Sequence, residues 1–225
     1  MKSTEFAEYK ARYYAAIRKV LAEAERGRLD EAGFPAYSHP NPVINWLFWQ
    51  RLRRAMNHIE KQHEKILDFG CGSGVMLPFL AQHGRQVIAM DIDLEPLQRI
   101  QKNIPLAENV QVLNTNEISI SQLAARSFDL IVALDVLEHV DDLPRTLSEL
   151  IKLLKPGGEL VISGPTENIF YKLGRWMAGP EFSGAYHERG MGEIKRDLIH
   201  FANIEPIATL YWPFPLFEVI SAHPK

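Results

Sequence analysis

The sequence predicts an α/β fold, a mostly parallel sheet with helices on both faces. Three observations lead there. From Ile66 onward, apolar runs of strand length alternate with segments of helical period; that pattern marks strands buried on both faces and joined by crossover helices. The first run, Ile66-Leu67-Asp68-Phe69, ends in an acid and leads through Gly70-Cys71-Gly72-Ser73-Gly74 into the apolar segment Val75 to Ala81. This reads as strand, tight turn and start of helix, with glycine where the backbone needs φ > 0 or comes close to a ligand. A second run, Val87-Ile88-Ala89-Met90-Asp91, again ends in an acid. Asp91 falls roughly 20 residues after the glycines, where a ribose-binding acid sits in a dinucleotide-type βαβ unit.

The elements follow in order. A helix is expected over residues 4–27, capped by Ser3 or Thr4 and stopped by Gly27, because Phe6, Tyr9, Tyr13, Ile17, Val20 and Leu21 recur at three-to-four spacing. Residues 28–41 read as a loop. Asn41-Pro42 then reads as cap and first residue of a helix to about Lys61. Ile44, Leu47, Phe48, Leu52, Ala55 and Ile59 form its apolar stripe, broadened by Trp46 and Trp49. Arg51, Arg53 and Arg54 beside the tryptophans suggest contact with a lipid headgroup or an anionic glycan. Strands are expected at Lys65–Phe69, Gln86–Asp91, Val110–Leu113, Phe128–Leu134 and Glu159–Gly164. Helices are expected at Ser73–Gln82, Leu94–Asn103, a short piece at Ser119–Ala125, and Leu143–Leu154, which Lys155-Pro156-Gly157-Gly158 ends. A polar and aromatic stretch, Pro165–Gly190, precedes a helix at Met191–Phe201. The chain then closes on a pair of strands, Ile204–Trp212 and Phe217–His223.

Composition narrows the class. With 225 residues, 46% hydrophobic and 24% charged, the chain fits one globular domain with additions. A net charge of −3 gives no general attraction to nucleic acid. No apolar run reaches the ~18 residues of a membrane span, and the N-terminus has no secretory apolar region, so a cytoplasmic location is expected. Cys71 is the only cysteine, which excludes an internal disulfide and reads as a small turn residue.

The turn discriminates between cofactors. Its spacing is Gly-x-Gly-x-Gly rather than Gly-x-Gly-x-x-Gly, and Asp68 stands just before it. A pyrophosphate would be repelled by that carboxylate, whereas an ammonium group would be attracted. These residues resemble motif I of the class I S-adenosylmethionine-dependent methyltransferases. Asp135-Val136-Leu137-Glu138-His139, which follows Ser127-Phe128-Asp129, and Leu153-Leu154-Lys155-Pro156-Gly157-Gly158 resemble later signatures of the small-molecule enzymes of that family. The resemblance runs from about Ile66 to Ile162.

The resemblance implies a Rossmann-like three-layer sandwich whose seven-stranded, mostly parallel sheet ends in an antiparallel last strand. It also implies an N-terminal helical lid over residues 1–62, a cofactor-binding part over residues 63–225, a substrate-side insertion at 166–190, and a single structural domain overall. The cofactor would be S-adenosyl-L-methionine, with S-adenosyl-L-homocysteine as product. Gly70 and Gly72 would let its methionine part lie against the backbone, Asp68 would balance its ammonium, and Cys71 and Gly74 complete the turn. Asp91 would take the ribose hydroxyls and Ile92 would flank the adenine. The family has an acid where Asn116 stands. An amide oxygen can accept the same bond, and Asn116, Glu117 and Ile118 are all candidates for the adenine edge. Asp135 and Val136 would lie against the cofactor at the strand-four exit.

The acceptor side carries less pattern. His139 and His187 are base candidates, since histidine titrates near neutral pH. Tyr37, Asn168, Tyr171, Arg175 and Tyr186 are candidates for substrate contact, and His39, Asn41, Trp46 and Trp49 would lie near the pocket. Lys172 shares the insertion, and its basic groups argue for an anionic or polyhydroxylated substrate. Glu138, His139 and His187 have no metal-ligand spacing, so no metal is expected. The expected reaction is in-line methyl transfer to a small-molecule, glycan or lipid-linked acceptor, with oxygen the expected target. The missing Asn/Asp-Pro-Pro-Tyr/Phe run speaks against nucleobase methylation. A nicotinamide-dependent oxidoreductase, a cofactor-binding module without turnover and a protein acceptor remain alternatives. Peripheral membrane contact is compatible with the sequence, and oligomeric state is not legible in it.

Overall fold

The structure, a computed structural model, describes residues 2–23, 37–39, 41–166, 189–211, 213 and 215–225. Two helices come first, α1 (Ser3–Glu23) and α2 (Pro42–His58). The alternating part follows as β1 (His63–Phe69), α3 (Leu77–His83), β2 (Gly84–Asp91), α4 (Glu95–Gln101), β3 (Val110–Asn114), β4 (Phe128–Leu134), α5 (Leu143–Leu153) and β5 (Leu154–Pro165). The chain ends with α6 (Met191–Leu198), β6 (Ala202–Leu210) and β7 (Phe217–Pro224). The seven strands form one sheet in the order β3-β2-β1-β4-β5-β7-β6. Pairing is parallel from β3 through β5, and β7 runs antiparallel to both β5 and β6. The expected Rossmann-like sheet with one antiparallel strand is therefore present. The strand order reverses between β1 and β4, which opens a crevice at their C-terminal ends.

Strand alternation divides the core in two. Ile66, Val87, Ala89, Leu130, Val132 and Val161 face a layer built from α1, α2, α3 and α4. Their neighbours Leu67, Ile88, Met90, Ile131, Ala133 and Ile162 face the layer of α5 and α6. The period of two in each strand thus supplies both faces of a three-layer sandwich. On α5, Leu143, Leu147 and Leu150 sit at helical spacing and are all buried. Pro206 interrupts β6 with a register shift; an edge strand tolerates the missing donor.

Several boundaries differ from the sequence expectation. Helix α3 begins at Leu77, not Ser73, because the residues between are held in turns by Gly74 N donating to Cys71 O and Leu77 N to Gly74 O. The piece expected at 119–125 is a single turn of 3₁₀ helix, Ile120–Gln122, closed by a reciprocal Ser119–Gln122 capping box. β5 starts at Leu154, before Lys155-Pro156-Gly157-Gly158 rather than after it. Asn41 caps α2 as expected, accepting from Val43 N and Ile44 N, but the helix stops at His58.

The two N-terminal helices bear on the sheet through ring packing and a few polar ties. Trp49 is wholly buried, with Phe6, Tyr13 and Tyr37 edge-on around it. Its indole N–H and the Asn45 side chain both donate to Tyr37 O. Leu21 and Trp46 depart from the expected stripe. Leu21 is exposed, and Trp46, 45% exposed, stacks on Tyr211 at 4.8 Å instead of entering the core. No helix among the described residues is long and apolar enough to cross a membrane.

The Tyr13 hydroxyl is buried and bonds Ser73 O at 2.7 Å and Ser73 Oγ at 2.8 Å. Tyr13→Phe removes the partner of both Ser73 groups and is expected to cost about 1–2 kcal/mol in a urea unfolding series, the scale of an unmet buried hydrogen bond. An unchanged midpoint would mean that this tie does not hold α1 to the turn.

Candidate functional site

Four of the five parallel strands deliver a polar residue to the crevice. β1 delivers Asp68 and the glycine turn, β2 delivers Asp91, β3 leads to Asn116, and β4 leads to Asp135. The turn is held from β2. Gly70 N and Cys71 N both donate to Met90 O, at 2.8 and 3.0 Å. Gly72 N donates to Asp91 Oδ2 at 2.7 Å. Gly70, Gly72 and Gly74 have φ of +76°, +51° and +77°. At Gly70 the reason is also steric: a Cβ there would lie 2.3 Å from Val136 Cγ2.

The turn's amides are not a bare row of donors for an anion. Those of Gly70, Cys71, Gly72 and Gly74 are spent inside the protein, and α3 begins only at Leu77. Cys71 is buried within the turn, and burial pushes its thiol well above the usual range. The position takes part through its backbone and is not a reactive thiolate.

Asp68 lies beneath the turn, 3% exposed, and its Oδ2 is shielded from water with no hydrogen-bond partner among the described residues. Burial, with a smaller contribution from the Asp91 charge, pushes its carboxyl up to about 7. A buried carboxylate without a donor is costly, so this oxygen is fitted to a cationic or protonated group arriving from outside the chain. Asp91 has dual duty: besides Gly72 N it accepts from Asp93 N at 3.1 Å. A carboxylate has about four acceptor positions, which leaves capacity for a pair of hydroxyls. Asp93 Oδ1 accepts from Glu95 N at the head of α4.

Ile92 is 66% exposed, an apolar side chain open beside Asp91. Asn116 Nδ2 donates to Ile92 O at 3.1 Å, which fixes the amide with its oxygen as the free acceptor end. Glu117 and Ile118 line a cavity of about 390 Å³ between α4 and β3, together with Asp93, Leu94 and Gln98.

At the β4 exit the structure adds what sequence reasoning missed. Asp135 has φ of +55°, a left-handed conformation uncommon outside glycine and found at functional sites. Its Oδ2 pairs with Arg51 of α2 at 2.6 Å and accepts from Ser163 Oγ of β5 at 3.2 Å. Arg51 is buried between the rings of Phe48 and Phe217, at 4.9 and 4.7 Å. Its charge opposes the effect of burial on Tyr37, whose hydroxyl is still pushed up to about 12. Arg51 therefore does not reach toward an external headgroup. Arg53 lies over Phe6 and donates to Ser3 Oγ, and Arg54 is exposed. The signal for Arg51 was available in the sequence. It falls on the apolar stripe, three residues after Phe48 and four before Ala55, where a cation needs a buried partner.

The other acceptor-side candidates separate. His139 is exposed at the end of the 3₁₀ turn Leu137–His139, its backbone N–H on Val136 O. Tyr37 and His39 are buried, Asn41 is the α2 cap, and Trp49 is in the core rather than at the pocket. Arg189 donates to Val140 O and Asp141 O, tying the chain ahead of α6 to the loop after His139. His187, Asn168, Tyr171, Lys172, Arg175 and Tyr186 lie outside the described residues.

A crevice at the β1/β4 reversal, a positive-φ glycine turn and an acid closing each of the first two strands define the class I methyltransferase fold. Solved structures carry the same fold. The N-methyltransferase NodS from Bradyrhizobium japonicum WM9, crystallised with S-adenosyl-L-homocysteine, superposes with a TM-score of 0.60 at 20% identity, covering 94% of this chain and 98% of NodS. The cyclase SpnF shares it with a TM-score of 0.58 at 12% identity, covering 79% of this chain and 82% of SpnF. The methyltransferase domain family matches residues 43–217, and the chain belongs to that family. The ubiquinone biosynthesis O-methyltransferase of Stutzerimonas stutzeri (strain A1501) is 30% identical over 159 residues, 69% of this chain and 64% of that protein. The chain thus spans less than two thirds of the length of such curated relatives.

Gly70 and Gly157 share φ near +77°, but an added Cβ at Gly157 meets nothing within 4 Å. Gly157→Ala is therefore expected to cost only the left-handed strain of about 1–2 kcal/mol. Gly70→Ala should cost clearly more in chemical denaturation, since Val136 must also move. Equal costs would show that Val136 does not constrain the turn.

Proposed function

We propose that the chain is an S-adenosylmethionine-dependent methyltransferase acting at a hydroxyl of a small-molecule, glycan or lipid-linked acceptor. The observation that carries the reading is Asp68: a shielded carboxylate oxygen without a partner among the described residues, under a turn whose Gly70, Cys71, Gly72 and Gly74 amides are already used. That combination fits the α-ammonium of the cofactor's methionine part and disfavours a diphosphate. Gly70 and Gly72 keep the backbone bare where the methionine part lies. Asp91 takes the ribose hydroxyls, Ile92 covers the adenine, and the Asn116 amide oxygen accepts from the adenine amino group, with Glu117 and Ile118 at the rim. Helices α1 and α2 act as the lid.

When bound, the cofactor supplies an electrophilic methyl on a sulfonium. The protein then has chiefly to align the nucleophile, and orientation of this kind contributes up to about 7–11 kcal/mol. A hydroxyl must also lose its proton, and His139, exposed at the mouth of the crevice, gives that proton a route to solvent. The relatives named O-methyltransferases support oxygen as the target.

Calorimetry with S-adenosylhomocysteine and with NAD tests the reading. Binding of the first and not the second is expected; the reverse would replace the methyltransferase with a nicotinamide enzyme. Asp91→Ala should weaken S-adenosylhomocysteine by about 1–3 kcal/mol, and unchanged affinity would remove Asp91 from the ribose.

The raised pKa of Asp68 sets a pH dependence. In the free protein the protonated form is favoured, so its stabilising effect is complete below the ordinary value of 3.8 and is lost as pH rises through about 7. An ammonium needs the carboxylate, so S-adenosylhomocysteine affinity should rise with pH up to about 7 and then level. Asp68→Asn should bind weakly at every pH. A wild-type affinity independent of pH across this range would contradict the pairing.

A further inference from the structure

We propose that Asp135 accepts the hydrogen bond, and then the proton, of a phenolic hydroxyl on the methyl acceptor, with Arg51 and Ser163 holding the carboxylate for that task. The inference rests on the methyltransferase reading above and gives its acceptor a chemical class.

The sheet divides the crevice into two halves. The nucleoside half lies over β2 and β3, where Asp91, Ile92 and Asn116 cluster. Asp135 belongs to the opposite half. Its carboxylate turns toward β5 through Ser163 Oγ and toward α2 through Arg51, and Phe217 of β7 closes over the Arg51 guanidinium. Yet it stays beside the cofactor turn, because the next residue, Val136, fills the space above Gly70. An acceptor reaching the transferable methyl from the β5–β7 side meets Asp135 first.

The two oxygens of Asp135 are treated differently. Oδ2 carries both bonds, to Arg51 and Ser163. Oδ1 is shielded from solvent and has no hydrogen-bond partner among the described residues. One oxygen is thus anchored and the other is left as an acceptor in a dry place, where an unmet acceptor is costly. The left-handed backbone at Asp135 is a second cost, of the kind found where geometry serves a ligand.

Acidity selects the donor. Phe48, Phe217 and Tyr37 pack on Arg51 and on one another and keep its end of the pair dry. A carboxylate is a weak base, and a phenol, with a pKa of about 10 as in tyrosine, is within its reach once the new bond begins to form. An alkyl alcohol is far less acidic. In the transfer, the acceptor oxygen bonds to the methyl carbon as the carbon–sulfur bond breaks. The bonding pair returns to sulfur and cancels its positive charge. The hydroxyl proton passes to Asp135 and on to solvent past His139.

The test uses S-adenosylmethionine with catechol, cyclohexanol or aniline as acceptor, alongside calorimetry of S-adenosylhomocysteine and of catechol on the S-adenosylhomocysteine complex. The wild-type protein should methylate catechol in preference to the other two. Asp135→Asn keeps an oxygen for Arg51, and should lower kcat on catechol at least about 100-fold. It should weaken catechol binding while leaving S-adenosylhomocysteine affinity within about twofold, which also shows that the variant is folded. Asp135→Glu should recover part of kcat. Wild-type kcat in Asp135→Asn overturns the inference, and so does a loss that comes through S-adenosylhomocysteine affinity, which would make Asp135 a cofactor ligand. Wild-type protein that binds S-adenosylhomocysteine but methylates only aniline or cyclohexanol, or none of the three, overturns the phenolic class. Failure to bind S-adenosylhomocysteine at all overturns the methyltransferase reading itself.

Discussion

Asp68 is a carboxylate that the fold takes out of water while leaving one of its oxygens without a partner among the described residues. Sheet pairing places it there: Asp68 is in register with Ala89 of β2 and Val132 of β4, in the middle of the parallel ladder. The Gly70, Cys71 and Gly72 amides of the turn above it do not relieve the charge, because they are committed to Met90 and Asp91. The free protein settles this conflict by raising the Asp68 pKa. A cationic ligand settles it by pairing. The specificity proposed for the site follows from that choice, since the same arrangement that welcomes an ammonium leaves a diphosphate facing a carboxylate without donors of its own.

The rest of the molecule keeps this arrangement in place from two sides. α1 reaches the far arm of the turn through the hydroxyls of Tyr9 and Tyr13, which bond Val75 O and Ser73. Burial raises both phenols, so these hydroxyls stay protonated and able to donate. α2 reaches the β4 exit through Arg51, whose planar guanidinium suits both the carboxylate of Asp135 and the faces of Phe48 and Phe217. α1 lies ahead of the residues that the methyltransferase family matches. Residues outside the matched region thus complete the turn.

How much of this was legible in sequence depended on the kind of signal. Short continuous apolar runs ending in Asp68 and Asp91 gave the strands, and three glycines at alternate positions gave the turn, because both are local rules. The closing β6–β7 pair was readable because Pro213-Phe214-Pro215 separates two apolar runs. The start of α3 was misplaced because Val75 and Met76 are apolar and buried yet held in turns, so burial there does not report helix. Arg51 was misread because its partner, Asp135, is distant in sequence and a basic residue beside tryptophans has an easy surface explanation. The apolar stripe it interrupts carried the better signal. Asp135 was recognised as a site residue, but its left-handed backbone and its link to Ser163 arise only from tertiary packing.

The most direct measurement of the central claim is a carboxyl-carbon NMR titration of Asp68, without and with saturating S-adenosylhomocysteine. Without ligand the midpoint is expected near 7; with ligand the resonance should stay that of a carboxylate well below that pH, as an ammonium partner requires. A midpoint in the ordinary carboxylate range without ligand, or one that ligand leaves unmoved, would contradict the claim that Asp68 is held in reserve for the cofactor's amino group.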